Sequence, residues 1–303
     1  MIGLSSVWVS GSARSGTDLL KPILDLGFQG VELEYRITQR VYGELLPLIR
    51  SSEVRVLSIH NYFPVPEIIP SHEASGDCFS LSSLDGEERK KGIHYTTGTV
   101  EIAHDLAVGV VVLHLGTVET DMPKNGLAKL YREGNWDEMG KELLERETEE
   151  RQHHRDVHLD ALFFSLEQLL KRADSLGVTL GIENRYHHQE IPDMEEIGII
   201  LDKFKGAPIG YWHDTGHAAV LERLEILKHE ELLRSHASTM VGVHLHDCHG
   251  VSDHKPPGQG DVDFEMVQRY LPEGVIKVME IHPPASGEEI LQGLKNLHEC
   301  GIA

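Results

Sequence analysis

Eight short runs rich in β-branched and apolar residues, near 3–9, 27–35, 54–62, 109–118, 178–186, 208–215, 240–247 and 275–282, punctuate the chain at intervals. Between them lie amphipathic stretches such as TDLLKPILDL, VYGELLPLIRSSE, ALFFSLEQLLKRADSLG and SGEEILQGLKNLHECG. Strands alternating with helices imply parallel pairing through right-handed crossovers, and eight such units close into a barrel. The competing architecture is an open doubly wound sheet. It is disfavoured because no G-x-G-x-x-G follows the first run and polar residues stand at nearly every strand end, not at one switch point. The expected class is α/β, a (β/α)8 barrel, and 303 residues at 40% hydrophobic content suffice for one domain spanning 1–303.

Two connections exceed the usual loop length, about 63–90 after the third run and about 119–157 after the fourth. Loops at that end of a barrel overhang its catalytic face. The second contains WDEMGKELLERETEERQHHRDVHLDALFFSLEQLL, whose helix formers and i,i+4 charge pairs predict a helix longer than its neighbours and partly outside the barrel wall. His153, His154 and His158 read as its solvated face.

Charge and cysteine usage narrow the partners. Forty-nine acidic against 28 basic residues give a formal net charge of -21, which opposes any extended grip on a polyanion. A nucleic-acid partner is therefore not expected, although a locally basic groove is compatible with the sum. Cys78, Cys248 and Cys300 are an odd set without C-x-x-C spacing, so neither a disulfide framework nor a thiolate zinc site is written here. The N-terminus lacks the pattern of an export signal, and no apolar run reaches the roughly 18 residues of a spanning helix. A cytoplasmic protein with a small-molecule substrate and no membrane contact is the expectation, with a homo-oligomer left open.

The 20 histidines carry the functional signal, since imidazole is the commonest metal ligand. Side chains alternate between lumen and helix layer along a barrel strand, and those at the C-terminal strand ends face the active site. In VTLGIENRY this parity places Gly181 and Glu183 inward, in IGYWHDTGHA Trp212 and Asp214, in VGVHLHDCHG His244 and His246, and in VIKVMEIHP Glu280 and His282. Glu183, Asp214, His244 and Glu280 then converge from four consecutive strands. Several buried carboxylates need a cation, so a divalent metal is implied, and the imidazole–carboxylate mixture suits manganese, zinc or cobalt. His60, His114, His217 and His254 join the same mouth as further candidate ligands. Any one of them alone would more simply be a hydrogen-bonded structural histidine; their recurrence on successive strands favours ligation.

The strand ends HNYFP, HLGT, GIENR, HDTGHA, VHLHD and MEIHP resemble those of the xylose isomerase-like TIM barrel superfamily, which contains sugar isomerases and epimerases and also endonuclease IV. The D-T-x-H-A run at Asp214 and His217 and the H-L-x-D run at His244 and Asp247 are the most diagnostic elements. Likeness to the epimerases implies one metal on Glu183, Asp214, His244 and Glu280. Glu183 and Glu280 would move a carbon-bound proton through an enediolate, and His217 would hold a substrate oxygen. Glu32, Glu34, Arg185 and His246 are then the substrate-binding candidates, the two glutamates being equally suited to ion pairs with Arg36 or Arg185. Likeness to endonuclease IV implies instead a zinc hydrolase, with His60 and His114 holding one zinc beside Glu183 and His217 and His254 another. A hydrolase of a small ester or amide with one or two metals is a third form. In the nuclease pattern Ser252 stands where an Asp is expected, with Asp253 displaced by one, so the last metal set reads as incomplete.

Overall fold

The computed structural model describes residues 1–52 and 54–303. Eight parallel strands form a closed barrel: β1 Ile2–Ser5, β2 Gly30–Leu33, β3 Arg55–His60, β4 Val110–Leu113, β5 Thr179–Glu183, β6 Ile209–Asp214, β7 Met240–Leu245 and β8 Ile276–Met279. Each pairs with the next in chain order, and β8 closes on β1 with Ile2 opposite Lys277 and Leu4 opposite Met279.

Parity sorts the side chains as the alternation requires. Outward residues such as Ile182, Tyr211, Val243 and Met279 enter the large core shared with the helices, whereas Val110, Val112, Trp212 and Val278 pack together inside the barrel. Trp212 fills the lumen, and the glycine at 242 is what admits it, because a methyl group there would run into the indole. This apolar plug floors the polar mouth above it.

The first strand is shorter than the run 3–9. It stops at Ser5, and Val7–Ser10 turn into one helical turn that buries Val7 and Ser10. A four-residue apolar stretch carries too little periodicity to separate the two states. Both long connections are present. The first includes a short 3-10 turn at Ser71–Glu73 before the helix Gly86–Asp105, and the second runs into a 39-residue helix, Glu138–Leu176, ended by Gly177 at φ 67. On that helix His153 and His154 are exposed, but His158 is buried, which corrects its reading as a solvated residue. Its Nδ1 bonds the Ser82 carbonyl and its Nε2 accepts the Glu119 N–H, so it fastens the two long connections together. Two small antiparallel pairs, Gly116–Thr117 with Glu190–Ile191 and Asp247–His249 with Ser252–Lys255, rise beyond the strand ends and wall the mouth. No helix of the described residues is long and apolar enough to cross a membrane.

Candidate metal centre

Glu183 and Asp214 end β5 and β6, His244 lies in β7, and Glu280 follows β8 by one residue. His244 Nδ1 is 2.8 Å from Glu183 Oε1, 3.2 Å from Glu280 Oε2 and 3.7 Å from Asp214 Oδ2. All four residues are at most 3% exposed, and one donor atom from each lies within 4.8 Å of the others. Burial alone would depress the His244 pKa, but Glu280, Glu32 and Glu183 hold it well above the usual imidazole range. The same surplus of negative charge that forces a proton onto this ring would be met by a cation.

The flanking histidines are oriented by their inner nitrogens. His60 Nδ1 is 2.9 Å from the Asn61 carbonyl, and His217 Nδ1 is 3.0 Å from the Asn184 carbonyl; a carbonyl only accepts, so both Nδ1 atoms carry hydrogen. In the neutral rings Nε2 is then a bare lone pair. His60 Nε2 lies 3.5 Å and His114 Nε2 2.9 Å from Glu183 Oε2, yet that buried oxygen has no hydrogen bond. Three carboxylates and one imidazole gathered within 4.8 Å of one another, with a buried Glu183 oxygen beside them that lacks a hydrogen-bond partner, are a donor set that fits a divalent metal, and His60 and His114 add a second candidate set on the same glutamate.

A further set closes the mouth. Asp253 Oδ2 is 3.7 Å from His217 Nε2 and its Oδ1 is 3.2 Å from His254 Nδ1, while His254 Nε2 is 3.5 Å from Glu280 Oε2. The displaced Asp253 therefore does reach His217 and His254, contrary to the incomplete set inferred from Ser252. The backbone at His254 is left-handed, φ 54, an uncommon conformation for a residue with a side chain.

Of the four candidate substrate groups, Glu34 makes the expected ion pair with Arg36, and the other three are engaged within the protein. Glu32 is fully buried behind His244, both oxygens within 3.1 Å of Nε2, and takes the Ser58 hydroxyl at 2.7 Å. It faces the histidine, not the opening. Glu34 is also fully buried, with the Arg36 guanidinium 3.5 Å away, and burial pushes its carboxyl up to about 7. His246 has both nitrogens engaged: Nδ1 accepts the His254 N–H at 2.9 Å, so Nε2 donates to Asp214 Oδ2 at 2.8 Å. It braces Asp214. Arg185 is buried at the edge, its Nη2 bridging Asp77 and Glu190 at 3.0 Å each.

Two further groups have roles at the site that the sequence did not disclose. Asp77, from the first long connection, bonds His114 Nδ1 at 2.9 Å. Asp247 accepts four backbone N–H groups, from Cys248, Gly258, Gly260 and Val262, and so shapes the loop that presents Asp253 and His254. The H-L-x-D run marked its position without revealing that use.

Comparison with known proteins finds the same fold elsewhere. A D-tagatose 3-epimerase-like protein superposes with TM-score 0.67 at 20% identity, covering 99% of this chain and 96% of that one. An L-ribulose 3-epimerase gives TM-score 0.70 at 17% identity, covering 99% and 94%. A D-psicose 3-epimerase from Clostridium cellulolyticum H10, solved with D-tagatose, gives 0.66 at 14% identity, covering 98% of each chain. No curated protein matches the sequence. The sequence model described as xylose isomerase-like TIM barrel matches residues 20–300, and this chain, with its closed eight-stranded barrel, belongs to that family.

Proposed function

We propose that the protein is a divalent-metal-dependent isomerase or epimerase of a small sugar or hydroxycarbonyl compound. One observation carries the reading: Glu183 and Glu280, from β5 and the end of β8, approach the same nitrogen of His244 at 2.8 and 3.2 Å at a buried mouth. Two carboxylates converging on one small volume suit removal of a proton from the carbon beside a carbonyl and its return. Glu183, Asp214, His244 and Glu280 would hold manganese, zinc or cobalt, which when bound supplies Lewis acidity toward charge developing on a substrate oxygen. Glu183 or Glu280 takes the carbon-bound proton, and the partner carboxylate delivers one through an enediolate. His217, oriented by the bond from Nδ1 to the Asn184 carbonyl, offers Nε2 to a substrate hydroxyl. Trp212 beneath the mouth keeps bulk water from the lumen side. The folds of sugar 3-epimerases superposing along the whole chain support this substrate class.

The test is solvent exchange. Incubation of the metal-loaded protein with ketoses in heavy water should place deuterium on the carbon next to the carbonyl. Absence of label across tetroses to hexoses, with metal bound, contradicts the reading.

A second reading, a zinc-dependent hydrolase of a phosphodiester, small ester or amide, is favoured by the additional donor sets His60, His114, Glu183 and His217, Asp253, His254. More than one metal per chain together with nicking of an abasic duplex would select it.

A further inference from the structure

Beside the candidate metal centre, the segment around Lys124 and the loop after β5 line a shallow, open recess of about 300 Å³. His217, Asp253 and His254 form its inner wall, so it opens directly onto the candidate site. The same lining carries three cations, Lys124, Arg132 and Arg185, against three carboxylates, Asp77, Glu190 and Asp253.

The three cations are not equivalent. Arg185 is buried and committed, with Nη2 held between Asp77 and Glu190. Lys124 Nζ shares the same Glu190 at 3.0 Å, but 47% of its side chain is exposed. Asp77 and Glu190 thus balance Arg185 and Lys124. Arg132 has no carboxylate within 4.0 Å among the described residues. Arg132 is exposed, and its one side-chain hydrogen bond among the described residues is a long one, to the Tyr186 hydroxyl at 3.5 Å; that hydroxyl gives its own hydrogen to the Val251 carbonyl at 2.7 Å. Arg132 ends the short helix Gly126–Arg132, where a cation relieves the exposed carbonyls. The same guanidinium also lines the recess.

We propose that this recess is an anion subsite, and that the substrate is a ketose or hydroxycarbonyl compound bearing a terminal phosphate or carboxylate. Arg132 and Lys124 hold the anionic end, and the carbonyl end reaches Glu183 and Glu280. The proposal rests on the isomerase reading for the chemistry at the far end, but anion binding itself does not. An exposed guanidinium with no carboxylate within ion-pair distance, and a half-exposed ammonium lining the same recess, can give charge-assisted hydrogen bonds to either kind of anion.

Titration calorimetry on the metal-loaded protein tests it with D-fructose, D-fructose 6-phosphate and 5-keto-D-gluconate. At least one anionic compound should bind about tenfold or more tightly than D-fructose. Arg132→Gln and Lys124→Gln should each cut that advantage by roughly fivefold or more, while Lys21→Gln, on the helix Gly16–Asp25, leaves it in place. Equal affinities for all three compounds overturn the subsite, as does an advantage that survives both mouth substitutions, since the metal alone then holds the anion. Tight anion binding without deuterium exchange in any of the three would remove the isomerase reading and leave the subsite standing. Exchange without an anion preference would do the reverse.

Discussion

Glu32 stands directly behind His244, its carboxylate oxygens 3.0 and 3.1 Å from Nε2 while Nδ1 points to Glu183 at 2.8 Å. A carboxylate on the far nitrogen fixes ring orientation and raises basicity at the near one. Glu32→Gln should therefore weaken metal binding about 10- to 100-fold with little loss of fold. Competition with a chromogenic chelator measures this, and unchanged affinity would remove Glu32 from the centre.

His114 and His60 lie outside the quartet. Under the isomerase account His114→Ala leaves the metal on Glu183, Asp214, His244 and Glu280, with affinity changed by less than about tenfold. Elemental analysis after gel filtration checks it; complete metal loss would move the assignment to a multinuclear hydrolase.

Asp247 is predicted to be the anchor of the loop that delivers Asp253 and His254. Asp247→Ala strands four backbone N–H donors at 2.8 to 3.0 Å, at a cost of about 3 kcal/mol or more. Thermal unfolding should show the drop, and Asp247→Asn, which keeps one carbonyl acceptor, should lose less.

Glu147, on the long helix, offers a pH test away from the metal. Burial, with Glu150 adding to it, pushes its carboxyl up to about 7 from an ordinary 4.5. The folded chain then binds more protons than the unfolded chain between these values, so stability falls as pH rises through that window. Glu147→Gln removes this component. Between about pH 5 and about pH 8 the variant should gain on the wild type by roughly 1 kcal/mol, allowing for nearby solvent. A pH-independent difference would contradict the buried-carboxyl assignment.

Much of this architecture is legible in the sequence because strand parity is a strict rule. Glu183, Asp214 and His244 needed only a period of two and an apolar neighbour such as Ile182 or Val243 facing the other way. What parity cannot give is depth. Glu32 shares inward parity with the ligands, yet its place behind His244 follows from the β1–β2 and β2–β3 registers, which no local pattern encodes. Asp77 pairs with Arg185 across 108 positions, and an aspartate in SGDC carries no mark of that partner. His158 looked solvated because its neighbours are charged, but the face it occupies is covered by the two long connections it joins. Ser252 suggested a broken ligand set because motif spacing counts positions, whereas Asp253, one position on, reaches His217 and His254 at 3.7 and 3.2 Å.

Metal content of the wild type and of Asp214→Asn, purified side by side, tests the central claim most directly. Asp214 contributes to the quartet while its main chain is held by Asn184, so the variant should fold. The account predicts at least about one tightly held manganese, zinc or cobalt ion per wild-type chain and an affinity lower by about a hundredfold in the variant. A wild-type chain that takes up no divalent ion, or an Asp214→Asn chain that binds as tightly as the wild type, would contradict it.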